Sequence, residues 1–249
     1  MHFISDTSSA GVTEREFLLD GIPGVLWSPT ADTDTAASPL ILLGHSGGMH
    51  KKAPGLVASA LHCVKNYGFT VAAIDAPGHG QRPPNQQDLA WREAIHTAKA
   101  VGETIAPIVS SYNAALAEQA VPEWRATLHA LQVLGGINAD APVAFGGVNL
   151  GVVTGLMLSA VEPRIGALSL GEVFVDDTLL EVSGKVTVPL EFSMPWGGEH
   201  VDNAAGIALF DAFASAEKTL HFRSGARYPV PEYVHDSTAR FFVHHLGLT

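Results

Sequence analysis

The sequence predicts an α/β protein, with a mostly parallel central sheet of about eight strands and helices on both faces. Three observations point there. Short apolar runs bounded by turn residues recur along the chain. Stretches with the 3.6-residue period of a helix fill the gaps between them. Of the 249 residues, 47% are apolar and only 16% charged, a balance that suits strands buried on both faces.

The runs at residues 17–20 and 24–27 open the sheet. A polar turn region at 30–38 follows. Runs at 40–43, 70–74, 143–145, 167–170, 190–192 and 219–222 supply the remaining strands. The middle ones are too short for helices and apolar throughout, as parallel strands are. Leu56, Ala60 and Val64 share one helical face, and Val121, Trp124, Leu128 and Leu131 share another. Residues 204–216 and 232–246 also read as helices. Such alternation means a parallel sheet with crossover helices. Residues 88–120 break the alternation: they are long, helical and only partly amphipathic, and follow a Gly/Pro-rich turn at 76–84. At the carboxyl end of a central strand, where open α/β sheets bind ligands, they read as a small helical lid within one domain, 1–249.

Composition excludes several classes. Acidic residues outnumber basic ones 25 to 14, for a formal charge of -11. That leaves no basic footprint for nucleic acid and no attraction to an anionic membrane surface. The one cysteine, Cys63, excludes an internal disulfide and a thiolate zinc site. No apolar run of about 18 residues is present, as a membrane span would need. Residues 1–12 lack the pattern of a secretory leader, so a cytoplasmic location is expected. The 12 histidines are scattered, with no His-Glu-x-x-His spacing. Neither a metal nor another cofactor is expected.

Three strings carry the chemistry. Gly44-His45-Ser46-Gly47-Gly48 follows a strand, and its small residues let backbone N–H groups face a site. Ala73-Ile74-Asp75-Ala76-Pro77-Gly78-His79-Gly80 runs from a strand into a tight turn. Gly147-Val148-Asn149-Leu150-Gly151 lies between a strand and a helix, the setting of a nucleophile elbow. In this order the three strings resemble the α/β-hydrolase superfamily, especially its dienelactone-hydrolase-like and esterase members. The resemblance covers roughly residues 40–246.

The resemblance implies a nucleophile at the elbow centre, but Asn149 stands there. It implies an acid after the seventh core strand, where the chain reads Pro195-Trp196-Gly197-Gly198-Glu199-His200. It implies a histidine in the turn after the last strand, where Arg227 stands in Ser224-Gly225-Ala226-Arg227-Tyr228-Pro229. The triad therefore reads as degenerate. Asn tolerates positive φ, so Asn149 keeps the elbow's backbone without its nucleophile. Arg227 reads equally as a fork for a ligand carboxylate or as a salt-bridge partner of Glu199.

Other residues near the strand ends are candidates by position. The oxyanion hole implied by the family takes the N–H of Leu150 and one from Ser46 or Gly47. Glu172, Asp176 and Asp177, after the sixth strand, are candidate bases, with Asp75 and Glu199 the other acids near strand ends. Loop histidine His45 is a further catalytic candidate; for it, as for His79 on the next loop and His200 and His235 further along, a structural role is the simpler one. Trp91, Phe174, Trp196, Met49 and Met194 are candidates to line an apolar pocket, with core packing the simpler role for each.

A hole without a triad can still stabilise an enolate. The leading expectation is thus a non-hydrolytic enzyme, an epimerase or isomerase acting on a small molecule or peptide. Triad-less members of this fold in natural-product pathways, such as the peptide epimerases of bottromycin biosynthesis, look similar. The alternatives are a ligand-binding pseudo-hydrolase, and an esterase or lactonase using displaced residues such as Ser46 and His200.

Overall fold

The computed structural model describes residues 1–30, 38–134, 137, 142–197, 202–224 and 229–247. The described strands are β1 (His2–Ser9), β2 (Val12–Leu19), β3 (Ile22–Pro29), β4 (Leu40–Gly44), β5 (Thr70–Ile74), β6 (Val143–Gly147), β7 (Ile165–Leu170), β8 (Leu190–Pro195) and β9 (Lys218–Arg223). The described helices are α1 (Pro54–Tyr67), α2 (Gln86–Ala100), α3 (Ala106–Val133), α4 (Leu150–Ser159), α5 (Asp177–Ser183), α6 (Asn203–Ala212) and α7 (Glu232–His245). One sheet takes all the strands in the order β1-β2-β3-β5-β4-β6-β7-β8-β9. The pairings β1–β2, β2–β3 and β3–β5 are antiparallel. From β5 across to β9 every pairing is parallel.

Side-chain alternation sends each central strand into two cores. Val25 and Trp27 of β3, Ile41 of β4 and Val71 and Ala73 of β5 pack with Ala60 and Val64 of α1 and Phe242 of α7. Their neighbours Leu26, Leu42, Ala72 and Ile74 face the other way. They join Trp124 and Leu128 of α3, Leu156 of α4, Leu179 of α5 and Leu209 of α6. Phe145 of β6 is fully buried and meets Trp124 edge-on, with ring centroids 5.5 Å apart. Removing such a ring costs roughly 3–5 kcal/mol.

The eight anticipated strands correspond to β2 through β9. β1 is an added edge strand, and α5 is an added helix of seven residues. The expected helical span at 88–120 breaks after Ala100, and its second half runs on to Val133 as one 28-residue helix. The separate helix expected around Trp124 is the end of α3. Pro122 sits inside it, where the missing N–H and the ring normally break a helix. The buried stripe Leu116, Ala117, Ala120, Trp124, Leu128 and Leu131 passes the proline on both sides and holds α3 to the sheet. Most of the expected turn at 30–38 lies outside the described residues.

The parallel connections place four loops at one edge of the sheet. They leave β4 at Gly44, β5 at Ile74, β6 at Gly147 and β7 at Leu170. The residues singled out from the three strings lie on or beside them.

Candidate active site

β6 ends at Gly147 and α4 begins at Leu150, so the chain reverses direction within two residues. Asn149 holds the turn at φ 55° and ψ −106°. This is a costly backbone conformation for a residue with a Cβ, and Asn bears it better than most. Both flanking glycines are steric necessities. A Cβ on Gly147 would come within 2.5 Å of the Gly151 backbone, and one on Gly151 within 2.5 Å of the Gly44 carbonyl oxygen. The Asn149 N–H donates to the Glu172 carbonyl at 2.8 Å, and the Gly171 N–H to the Gly147 carbonyl at 2.8 Å. These two bonds tie the elbow to the segment after β7. On its side-chain end, Asn149 Oδ1 accepts from Nδ2 of the buried Asn113 on α3 at 2.9 Å.

Two backbone donors beside this elbow have no partner among the described residues. Leu150 is the first residue of α4, so its N–H has no carbonyl one turn back. No side chain caps the helix there. Gly47, on the loop after β4, also has an N–H without a partner among the described residues. The loop lies against the elbow: a Cβ on Gly47 would sit 3.5 Å from Asn149 Oδ1 and 3.6 Å from Asn113 Oδ1. The positive end of the α4 dipole adds to the field there. Both loops border a cavity of about 650 Å3, with Ser46, Gly47, His79, Asn149, Glu172 and Phe174 among its walls.

The histidines in the two loops differ in their bonding. His45 is buried, with Nδ1 donating to the Ser46 carbonyl at 2.9 Å and Nε2 accepting from the Ala76 N–H at 3.0 Å. Burial pushes it down to about 4. Both nitrogens are committed to backbone, so His45 clamps the loops after β4 and β5 together and does not fit the catalytic role expected for it. His79 bonds through Nδ1 to the Pro77 carbonyl at 2.8 Å. A carbonyl only accepts, so Nδ1 carries the proton and Nε2 keeps its lone pair. Nε2 has no partner among the described residues, and burial lowers the ring's affinity for a second proton. The sequence marks His79 by its Gly-His-Gly turn, which reads as structural; the structure leaves its Nε2 at the cavity wall.

The acids also separate. Asp75 is fully buried and accepts from the Lys51 N–H at 2.8 Å, Lys51 Nζ at 2.9 Å and the Gln81 N–H at 3.0 Å. Burial alone would raise its carboxyl, but these donors outweigh burial and hold it low. Asp75 is a structural tie. Asp176 is no base at the cavity either: its carboxylate caps α5, accepting from the Leu179 N–H at 2.7 Å. Asp177 is exposed on the first turn of that helix. Glu172 alone of the three reaches the cavity wall.

Among the aromatics, Phe174 lines the cavity with Met49. Trp91 lies on α2 and stacks on Tyr112 of α3, centroids 6.0 Å apart, so it braces the helices over the cavity. Trp196 is 60% exposed and packs edge-on against Phe222 at the far strands, away from the role expected for it. Met194 belongs to the core. His235 bonds Ser59 on α1 at 2.9 Å. Glu199, His200 and Arg227 lie outside the described residues. Glu217, His244 and His245 bring ligand atoms within 4.8 Å of one another near the surface. No described helix is long and apolar enough to cross a membrane.

Strand order and elbow together define an α/β-hydrolase-type fold. Solved structures match it over the whole chain. A cold-adapted esterase from an Arctic intertidal metagenomic library, in a complex with polyethylene glycol, is 28% identical, with 99% of this chain and 100% of that one covered and a TM-score of 0.75. An α/β hydrolase from Penicillium sp. sh18 is 13% identical over 95% and 99% of the two chains, TM-score 0.67. Est1E from Butyrivibrio proteoclasticus, with ferulic acid bound, is 14% identical over 93% and 99%, TM-score 0.64. The latter two speak to the fold alone. No family model matches the sequence, and no curated protein matches it. The full-length likeness to an esterase overturns the expectation of a non-hydrolytic epimerase, and the resemblance to bottromycin-pathway epimerases finds no support. The esterase reading is the better supported one.

Proposed function

We propose that this chain hydrolyses carboxylic esters of small molecules without a side-chain nucleophile at the elbow. The observation that carries this reading is that two N–H groups beside the elbow, Gly47 on the cavity wall and Leu150 at the start of α4, have no partner among the described residues. An ester carbonyl held by these two donors would develop its negative charge beside them, and such stabilisation is the largest single source of rate in acyl transfer. The whole-chain likeness to an esterase supports the same chemistry.

Asn149 replaces the nucleophile, and its amide is engaged by Asn113. Water is then the attacking group. His79 Nε2 takes the water's proton as oxygen bonds to the carbonyl carbon. The tetrahedral oxyanion rests on the Gly47 and Leu150 N–H groups. Its collapse breaks the bond to the alkoxide, which takes the proton back from His79, leaving acid and alcohol. His79 suits this because its ring is neutral near pH 7 and its bare nitrogen belongs to a cavity-lining side chain. Residues 88–120 act as the lid over this cavity.

Turnover of 4-nitrophenyl butyrate by wild type, His79→Gln and Ser46→Ala tests the reading. Loss with His79→Gln and retention with Ser46→Ala is the expected pattern. Loss with Ser46→Ala and a trapped acyl adduct would make Ser46 a displaced nucleophile. The engaged amide at the elbow favours a second reading, a ligand-binding protein on this fold, and absent turnover by the wild type would select it.

A further inference from the structure

The cavity concentrates positive charge in a strongly acidic chain. Only 14 of its 249 residues are Lys or Arg, against 25 Asp and Glu. Three of the 14, Arg82, Arg92 and Lys99, line this one cavity, whose described acidic lining is Glu172. Arg82 is consumed: it forms a bidentate pair with Glu123 at 2.6 and 2.8 Å. Arg92 and Lys99 have no carboxylate partner among the described residues.

Their placement is ordered. Arg92, Ile95 and Lys99 follow one another at helical spacing on α2 and line the cavity together. Seven residues of helix set the two cations about 10 Å apart along the axis. Arg92 Nη2 donates to the Gly78 carbonyl at 2.6 Å, which orients the guanidinium before any ligand arrives. A preorganised guanidinium loses less freedom when it binds an oxyanion. In a chain of formal charge -11 the surrounding field repels anions, so two unpaired cations on one wall mark the place where an anion is accepted.

We propose that the substrates are esters carrying a second, anionic group, a carboxylate or a phosphate, which lies against α2. Arg92 and Lys99 are its specificity residues. This rests on the ester-hydrolase reading for the identity of the reacting bond, and on the charge distribution alone for the anion.

The test compares kcat/KM for the 4-nitrophenyl monoester of glutaric acid with that for neutral 4-nitrophenyl butyrate. Wild type should favour the anionic ester about tenfold or more, the effect of one or two charge-assisted hydrogen bonds. Arg92→Gln and Lys99→Gln should each erode the preference, and the double variant should abolish it through KM. Lys65→Gln, remote from the cavity, should keep it. If Arg92→Gln fails to fold, because it also releases Gly78, Lys99→Gln carries the test alone. A wild-type ratio near one, or a ratio untouched in the variants, overturns the proposal. If no ester is hydrolysed, the hydrolase reading fails separately, and calorimetry with glutarate and with glycerol 3-phosphate decides the inference. Binding weakened about tenfold in the double variant sustains it, the tighter of the two naming the anion. No binding of either, or binding indifferent to both substitutions, overturns it.

Discussion

Asn113 on α3 donates through Nδ2 to Oδ1 of Asn149 at 2.9 Å, so that helix and the strained elbow share one amide pair. The pair ties the elbow to α3. In the double-mutant cycle of Asn113→Ala and Asn149→Ala, followed by urea denaturation, the coupling should be about 0.5–1.5 kcal/mol. Additive effects would show that the two amides do not support each other.

Lys51 and Asp75 form an ion pair with side chains 4% and 0% exposed. Asp75→Asn leaves a buried ammonium with a weaker acceptor and should cost about 3–5 kcal/mol, measured by the same denaturation. The Asp75 carboxyl is held below its ordinary value, so its contribution is present above the unfolded value and lost as pH falls through the folded one. Asp75→Asn should therefore flatten the acid limb of the stability profile.

His45 is buried neutral, with its folded value lowered from 6.5 to about 4. The unfolded chain takes up the proton first as pH drops. Its stabilising contribution is therefore full above 6.5 and falls by roughly 3 kcal/mol as pH approaches 4. His45→Gln should remove that slope in a series of unfolding curves between pH 7 and 4. A variant profile parallel to wild type would contradict the clamp role.

His221 shows the opposite sign. The Glu191 carboxylate beside it raises its value, so its contribution is full below the unfolded value near 6.5 and is lost as pH rises through the folded one. Thermal unfolding between pH 6 and 9 should show a decline in wild type that is smaller in His221→Asn.

The sheet was legible because β2 through β8 bury apolar residues in short runs with turn residues between them, and β9 partly buries Leu220 and Phe222. β1 was not: all but one residue of HFISDTSS is exposed, so no alternation marks it. α5 has only seven residues, although Asp176 three positions before Leu179 is a capping signal that the sequence does carry. The elbow was legible from Gly147 and Gly151, whose Cβ positions are blocked by backbone. The separation of His45 from His79 was not, since it depends on which carbonyl each Nδ1 meets across a turn. The partner of Asn149 was beyond reach for the same reason, because Asn113 comes from a helix 36 positions away.

The central claim is that a backbone oxyanion hole at the elbow supports ester hydrolysis. The most direct measurement is kcat/KM on 4-nitrophenyl butyrate for wild type and Gly47→Val, which crowds the loop against the Asn113–Asn149 pair without altering a titratable group. The account predicts turnover above the buffer rate in wild type and a loss of about tenfold or more in Gly47→Val, mainly in kcat, as expected for a distorted donor. Absence of wild-type turnover, or equal turnover in a folded Gly47→Val protein, would contradict it.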